Sequence, residues 1–409
     1  MVVKIIEYLI SFFLILECNS VFRCSTGINF HTIEVTAILL GILLILNFND
    51  KNKKKIINSL LFVIFFEIFI FIYIIEIKAQ INDKSLTKFI FTFGIVLPEF
   101  YILYKINNKY CNEIFDKYTK IMCLIALISL FFYIFGSTLN IIKPTSKFSI
   151  SWGYERAIPS YCNLYFETQD INIFGERISR NTGIFCESPM YSLNLTIALA
   201  YEILYGKKSR KRIILLLITI FTTISTSGII IGQILFLYYY IFNNKEKNKT
   251  IRLLKILTIP IIAILFVTVS NTFLNDKMQS TSYNARVNDY TYGIKVWKEY
   301  PIFGCGYENT EPITNYLPNY YIGGLSNSII ELLTEGGIYL FALYVIPLIK
   351  YTNISIKQKK YNQLMYVAVI VYLMFTTIFS YRLLFINMLA FGFAKNKKRE
   401  SVGNEEKNE

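Results

Sequence analysis

Arginine, carboxylate and aromatic side chains are the groups through which this chain could do chemistry. Arg180 and Glu187 flank a segment with Gly183 and Pro189 that leads directly into an apolar run. Proline suits the first turn of a helix, and the N–H groups of a helix N-terminus favour anions. A guanidinium adds a bidentate clamp for phosphate. The pattern predicts an anion site at a membrane surface; the alternatives are a snorkelling Arg180 or a salt bridge to Glu176 or Glu187.

A second candidate set lies on a predicted helix over 284–300, which ends before Pro301. One face of that helix carries Arg286, Tyr290, Gly293 and Trp297. An arginine beside aromatic rings suits a sugar diphosphate, because the rings stack on pyranose faces and the cation attracts phosphate. The same pattern is also typical of an interfacial amphipathic helix with an aromatic belt.

A third set of polar residues begins a later apolar run. Asn327, Glu331 and Glu335 share one helical face at spacings of four residues. A carboxylate inside a membrane helix costs ~2.5–3.5 kcal/mol, so two on one face require a cavity or basic partners. Glu335 is then either a general base with a raised pKa or the partner of a loop arginine.

Several kinds of site are absent from the sequence. There is one histidine, and the chain has no His-Glu-x-x-His, Asp-x-Asp, P-loop or Gly-x-Ser-x-Gly pattern. The seven cysteines show no metal-binding spacing. Cys162, Cys186 and Cys305 fall in the predicted outer loops and either pair or stay free. We therefore expect no metal and no cofactor.

The elements that position these residues are apolar runs. The composition is 54% hydrophobic and 17% charged, with a mean hydropathy of +0.43, which is too apolar for a soluble domain. Runs close to the ~20 residues needed to cross a bilayer number about twelve. They are 4–22, 28–48, 56–77, 86–104, 119–139, 187–205, 212–226, 228–242, 251–271, 326–349, 361–376 and 378–394. The sequence predicts an all-α polytopic membrane protein, with 1–409 forming a single integral membrane domain.

Lysine and arginine are concentrated in alternate connections and in a tail over 395–409. The positive-inside rule then places both termini in the cytoplasm. The net charge of +14 is explained by attraction to an anionic inner leaflet, at ~1 kcal/mol per residue near the surface. Because the charges are dispersed among these connections, we expect membrane lipids and no nucleic acid as partners.

Two large polar loops interrupt the apolar runs on the opposite side, at 140–186 and 272–325. Both tryptophans, Trp152 and Trp297, lie in them, and so does Arg156. A transporter can keep its loops short, whereas a membrane enzyme must hold a polar substrate beside the lipid that carries it. We expect chemistry on a lipid-linked substrate at the outer face, with Trp152 and Arg156 contributing to binding.

Four segments in order resemble the O-antigen ligase/polymerase superfamily, specifically Wzy-type polysaccharide polymerases. The first contains Arg180, Gly183, Phe185, Glu187 and Pro189. The second is Thr226-Ser227-Gly228, which is similar to the family's Ser-Arg-Gly turn. The third contains Arg286, Trp297, Pro301, Gly304, Gly306 and Asn309, and the fourth contains Asn327, Glu331, Glu335, Gly336 and Gly337.

The chain departs from the family pattern at two positions. Ser326 stands where a histidine is frequent before the asparagine, and Ser227 stands in place of the turn arginine. In ligases both positions are associated with activity. The departures favour a polymerase over a ligase.

The resemblance implies a GT-C-like membrane fold in the bacterial cytoplasmic (inner) membrane. It implies a metal-independent inverting glycosyltransferase that joins undecaprenyl-diphosphate-linked units into a capsular, exo- or O-antigen polysaccharide. Arg180 and Arg286 would hold the diphosphates, and Glu187 or Glu335 would orient or deprotonate the acceptor. Trp152, Tyr290 and Trp297 would stack on sugars, and Asn327 and Glu331 would help to bind the substrate. Partners would include a flippase and a chain-length regulator; a ligase or a flippase for the same lipid-linked unit are the alternative functions.

Overall fold

The computed structural model describes residues 1–26, 31–173, 176–242, 257–262, 264–268, 271, 281–316 and 325–395. Helices dominate it. They are α1 (Val2–Glu17), α2 (Thr32–Leu46), α3 (Asp50–Ile77), α4 (Asp83–Ile106), α5 (Lys109–Thr138), α6 (Ser188–Leu204), α7 (Arg210–Thr222), α8 (Thr226–Phe242), α9 (Leu257–Thr268), α10 (Thr281–Glu299), α11 (Glu311–Thr314), α12 (Ser328–Lys357), α13 (Tyr361–Thr376) and α14 (Leu383–Ala394). A π-helical segment, Ile90–Val96, lies inside α4, and another, Tyr133–Thr138, ends α5.

Helices occupy the apolar runs found in the sequence, although the run at 251–271 lies only partly among the described residues. Within the described ranges, α3, α4, α5 and α12 are long and apolar enough to cross a membrane. Shorter apolar helices accompany them, namely α2, α8, α9, α13 and α14. The architecture is that of a polytopic membrane protein, while the total of about twelve crossings stays a prediction.

Large apolar side chains cover the outside of the helix bundle. On α3, Leu61 and Phe65 are 74% and 71% exposed, and similar side chains follow at Ile68 and Phe71. Such a continuous apolar surface is unfavourable in water but matches the hydrocarbon core of a bilayer. α3 therefore presents this side to lipid.

The interior is built around α6 and α14. Every residue of α6 except Pro189 is buried, and α6 packs against α5, α7, α8 and α13. α14 is similarly enclosed by α1, α4 and α12. Each of these two buried helices begins next to a charged residue, Glu187 before α6 and Arg382 before α14.

The prediction of an all-α protein is wrong for the first outer segment, which forms five short strands. They are β1 (Ser146–Trp152), β2 (Tyr154–Tyr161), β3 (Tyr165–Phe166), β4 (Asp170–Ile173) and β5 (Glu176–Ser179). β1, β2 and β3 form one antiparallel sheet, and β4 pairs with β5. In β1 the inward side chains Phe148, Ile150 and Trp152 alternate with exposed ones, a period of two that marks a strand. The pattern was present in the sequence but is short beside the long apolar runs.

The second outer segment contains the predicted helix over 284–300, which is confirmed as α10. α10 packs against α12 through Gly293, where an added Cβ would lie 2.2 Å from Cγ2 of Ile330. The residues at 272–280 and 317–324 lie outside the described part of the chain, and so does the tail at 396–409.

α12 is broken at Gly337, whose φ of 58° lies in the left-handed region. Backbone carbonyl groups that lose their helical hydrogen bonds at the break accept hydrogen bonds from the segment after α10. Cys305 and Gly306 donate their N–H groups to the carbonyl oxygens of Thr334 and Glu335, at 2.8 and 3.1 Å. A broken membrane helix is tolerated where protein satisfies the freed groups, so this segment stabilises the break.

The glycines at this contact leave no room for a side chain. A Cβ on Gly304 would lie 2.3 Å from the carbonyl carbon of Glu335, and one on Gly337 would lie 2.2 Å from the carbonyl oxygen of Ile302. Both glycines also have positive φ, which other residues adopt rarely. Two segments that resemble family motifs, Pro301–Gly306 and Glu335–Gly337, are therefore the two sides of one backbone contact.

Candidate active site

A cavity of about 380 Å³ lies where β1, the start of α6, α10 and the start of α12 meet. Its lining includes Trp152, Glu187, Arg286, Ser326 and Thr377. Three of these, Trp152, Glu187 and Arg286, are site residues expected from the sequence. The fold thus brings together an indole, a carboxylate and a guanidinium that are far apart in the chain.

Glu187 is the N-cap of α6, with an extended φ of −150°, and its side chain makes no capping hydrogen bond. The side chain of Trp152 lies close to the carboxylate and favours its charged form. Burial raises the pKa of Glu187, and the nearby Arg180, Arg286 and Arg382 partly oppose that rise. A carboxylate with a raised pKa is a better proton acceptor near neutral pH.

Arg180 lies behind this cavity and is bound mainly to the backbone. Its Nε and Nη2 donate to the carbonyl oxygens of Thr223 and Ile224, at 3.0 and 3.1 Å. These carbonyls follow the C-terminus of α7, where a cation is favourable. Burial lowers the pKa of the Arg180 guanidinium to about 10, with Glu187 opposing the decrease and Arg286 adding to it. Arg180 therefore stays charged and sits close enough to influence Glu187.

The sequence left open whether Arg180 pairs with Glu176 or Glu187. Glu187 forms no ion pair with it within 4.0 Å, and the side chain of Glu176 lies outside the described part of the structure. Gln169 connects the two segments instead, because its Oε1 accepts from Nη1 of Arg180 at 3.5 Å and from the N–H of Ser188 at 3.0 Å. Arg180 positions the start of α6, while Arg286 is the guanidinium that lines the cavity.

The Thr226-Ser227-Gly228 turn is a close contact between α8 and α6. A Cβ on Gly228 would lie 1.7 Å from Oγ of Ser192. At the other end of the same contact, Oγ of Ser188 donates to the carbonyl oxygen of Thr223 at 2.5 Å. This turn holds the helix that carries Glu187.

A pair of arginines that the sequence analysis missed lies beside the predicted site residues. Arg23 and Arg382 each place a guanidinium nitrogen 3.3 Å from Oε1 of Glu17. The other oxygen of Glu17 accepts from the N–H of Leu383 at 2.8 Å. Arg382 lowers the pKa of Glu187, so this cluster extends the positive field of the cavity. The available signal was the position of each charge, Arg382 within the apolar run 378–394 and Arg23 just after the run 4–22, because a charge in or beside a membrane segment marks a functional or paired group.

Glu335 is held by the protein backbone rather than turned to the cavity. Its Oε2 accepts from the N–H of Glu308 at 2.9 Å. Glu308 in turn pairs with Lys88 and accepts from Oγ of Ser85 at 3.3 Å. Burial alone would raise the pKa of Glu308, but Lys88 lowers it below its ordinary value. Glu335 thus stabilises the loop beside the break in α12.

The other two residues of the third set lie at the start of α12. Asn327 is its N-cap, because Oδ1 accepts from the N–H of Ile330 at 2.9 Å. Glu331 is half-buried one turn further on. Neither belongs to the lining of the cavity, and their binding roles stay predictions.

The remaining candidate residues contact protein groups outside the cavity lining. The hydroxyl of Tyr290 donates to the carbonyl oxygen of Phe375 at 3.0 Å, and Nε1 of Trp297 donates to that of Pro301 at 3.3 Å. Arg156 on β2 donates to the hydroxyl of Tyr154 at 3.1 Å. Contacts with sugars at Tyr290, Trp297 and Arg156 therefore stay predictions.

The groups able to bind a charged ligand here are mostly guanidinium groups. In the part of the chain that the structure describes, no three histidine, cysteine or carboxylate side chains come together as a metal site. The cysteines expected either to pair or to stay free are all free thiols, Cys162, Cys186 and Cys305 among them. The arrangement can bind an anion beside a carboxylate.

Comparison with known proteins agrees with this architecture. Residues 213–345 match the family described as O-antigen ligase. The matched region contains the Gly228 contact, Arg286 and both sides of the break in α12. No curated protein matches the chain. This match, over about a third of the chain, supports membership of the O-antigen ligase/polymerase superfamily.

Proposed function

We propose that this protein is a repeat-unit polymerase that joins lipid-linked oligosaccharides at the outer face of the bacterial cytoplasmic membrane. Its superfamily supports a function of the O-antigen ligase/polymerase type. The observation that carries the proposal is one cavity lined by Glu187, Arg286 and Trp152. A base, a cation and an aromatic ring are the three groups that transfer from a sugar diphosphate needs.

In the proposed reaction a sugar hydroxyl of one lipid-linked unit attacks the anomeric carbon of the growing chain. Glu187 accepts the hydroxyl proton as the new C–O bond forms. The bond from the anomeric carbon to the diphosphate breaks, and undecaprenyl diphosphate leaves with the electron pair. Attack from the opposite face inverts the anomeric centre.

The negative charge that develops on the departing diphosphate is stabilised by guanidinium groups. Arg286 lines the cavity and would contact the diphosphate, while Arg180 and Arg382 add fixed positive charge behind it. Preorganised cations in a site that excludes water stabilise such charge effectively. No metal ion takes part in this scheme.

Glu187 is preferred over Glu335 as the base. Both carboxylates were candidates in the sequence, but the carboxylate of Glu335 already accepts the N–H of Glu308. Glu187 lines the cavity, whereas Glu335 does not belong to its lining. In this assignment Glu335 is a positioning residue.

The choice of polymerase over ligase rests on Ser326. This residue lines the cavity at the position where related ligases frequently carry a histidine. A serine cannot act as an imidazole base, so Glu187 must supply that function. The lipid-linked oligosaccharides that accumulate in a deletion strain distinguish the polymerase function from the ligase function. Single repeat units accumulate if a polymerase is lost, and long chains accumulate if a ligase is lost.

The proposal is tested by Arg286→Ala in purified protein supplied with lipid-linked repeat units in nanodiscs. We expect chain extension to fall by about 10²–10³-fold, as for removal of one charge-stabilising donor. Lys298→Ala, on an exposed residue of the same helix, is the matched control and should extend chains normally. Normal extension by a folded Arg286→Ala protein would contradict the proposal.

A further inference from the structure

Two cavities share a wall near the C-terminal ends of α6 and α12. One, of about 210 Å³, is lined by α5, α6, α12, α13 and α14 and is mostly apolar. The other, of about 450 Å³, lies between the turn after α6, the end of α8 and the turn that joins α12 to α13. Tyr205 and Gln363 line both, so the two spaces are adjacent parts of one site.

The larger cavity is strongly basic. Lys208, Lys359 and Lys360 line it together with Tyr238 and Tyr361. The ion pairs formed between described residues include none of these three lysines. Three ammonium groups and several phenol hydroxyls around one space are suited to an anionic group such as a phosphate.

The turn that carries Lys208 is held in place. The buried Glu202 accepts the N–H of Ser209 at 2.8 Å and pairs with Arg212 at 3.3 Å. Lys208 itself has a φ of 55°, which a non-glycine residue adopts only where its surroundings impose it. The wall of the basic cavity is therefore preorganised, which reduces the entropy cost of binding.

The opposite wall is fixed by Asn362, at the start of α13. Its Nδ2 donates to the carbonyl oxygen of Leu204, at 2.9 Å, and its Oδ1 accepts from the hydroxyl of Tyr238, at 2.6 Å. Asn362 thereby connects α6, α8 and α13 beside the three lysines. Lys359 has a φ of 53°, a conformation that is common just after the C-terminus of a helix such as α12.

The smaller cavity suits a hydrocarbon chain. Apolar side chains dominate its lining, among them Val367, Ile370, Met388 and Leu389. The hydroxyls of Tyr205 and Tyr351 lie 3.3 Å apart and satisfy each other near the shared wall. A ligand that fills both spaces must therefore combine an anionic group with an apolar chain.

We propose that these two cavities bind one anionic phospholipid, with its phosphate at the three lysines and an acyl chain in the apolar cavity. The lysines lie in two of the basic connections that the charge pattern assigns to the cytoplasmic side, where anionic phospholipids are available. Free phosphate would leave the apolar cavity empty, and a zwitterionic lipid would leave excess positive charge. This site is separate from the proposed polymerase cavity and does not depend on it.

The test compares two triple variants of the full-length protein by native mass spectrometry in nanodiscs that contain phosphatidylglycerol and phosphatidylcholine. Lys208→Gln/Lys359→Gln/Lys360→Gln removes the basic cavity. Lys53→Gln/Lys54→Gln/Lys109→Gln removes the same charge from other basic connections. At about fivefold per lysine, the first variant should bind phosphatidylglycerol about a hundredfold more weakly, and the second should bind it as the unmodified protein does.

A second variant tests the apolar part. Val367→Trp fills the smaller cavity and should weaken phosphatidylglycerol binding about tenfold without changing the binding of glycerol phosphate, which has no acyl chain. Val367→Leu serves as its folding control. Equal retention of phosphatidylglycerol by both lysine variants overturns the proposal. Equal binding of phosphatidylcholine, or displacement of phosphatidylglycerol by undecaprenyl phosphate, overturns it as well.

Discussion

The starts of α6 and α12 are built from similar residues but use their carboxylates differently. Each follows a polar outer segment and carries a buried or half-buried glutamate. At α6 the side chain of Glu187 makes no capping bond and faces a cavity with Arg286. At α12 the cap is Asn327, and the carboxylate of Glu335 is bound to the N–H of Glu308. A carboxylate is available for chemistry only where the protein's own backbone does not already occupy it.

The different roles of the two carboxylates are tested most directly by Glu187→Gln and Glu335→Gln. Loss of a general base costs about 10²–10⁴-fold in rate, so Glu187→Gln should nearly abolish chain extension. Glu335→Gln keeps an oxygen that accepts the N–H of Glu308, so its activity should fall only a few-fold. Rates are measured on purified folded protein. Equal losses in the two variants would show that the roles are wrongly divided.

The structural role of the α12 region is tested by Gly304→Ala. Its new Cβ would meet the backbone of Glu335 at 2.3 Å, and backbone cannot move aside as a flexible side chain can. We expect the free energy of unfolding to fall by about 3 kcal/mol or more. Gly153→Ala is the matched control, because Gly153 has a similar φ of 74° but no atom within 4 Å of the added Cβ.

The control should lose only about 1–2 kcal/mol from its positive φ. Thermal unfolding followed by the release of buried cysteines gives both values. If the two alanine variants are equally stable, the close contact between Pro301–Gly306 and α12 contributes nothing.

The pH dependence of chain extension sharpens the assignment of Glu187. The base must be ionised, so the rate should fall about tenfold per pH unit below its pKa. Burial raises that pKa, and the positive charge of Arg286 lowers it. Arg286→Gln should therefore move the inflection of the residual activity to higher pH. An unchanged inflection would mean that another group titrates.

The smallest effect is expected at Trp297, which was a candidate for sugar stacking. Its indole donates to the carbonyl oxygen of Pro301 at 3.3 Å, so Trp297→Phe should cost about 1 kcal/mol of stability. Chain extension should stay within a few-fold of normal. Trp152→Phe should reduce it further, because Trp152 lines the cavity. A larger loss of activity at Trp297 than at Trp152 would move the sugar site towards the end of α10.

Local patterns predicted most of the helices. Apolar runs, Pro189 in the first turn of α6 and the helix ended before Pro301 are all features of neighbouring residues, and each is present in the structure. The strands of the first outer segment were missed. Their alternation spans only a few residues, such as Ser146–Trp152, and five short strands are easily overlooked between apolar runs several times longer.

The candidate site was predicted in part. Trp152, Glu187 and Arg286 were chosen for their chemistry and do share one cavity. Arg382 was not chosen, because its partner Glu17 is 365 positions away and no pattern along the chain connects them. Ion pairs of this kind become visible only when the helices are packed.

The sequence by itself determined that this chain forms apolar helices separated by polar segments, because hydropathy, proline and glycine act over a few neighbouring residues. Only the tertiary structure decided which charged groups are available. Arg180 is bound to the backbone after α7, Glu335 to the loop beside the break in α12, and Arg286 faces a cavity with Glu187. Those outcomes depend on contacts between distant segments. Burial then sets how strongly the charges that these contacts bring together interact.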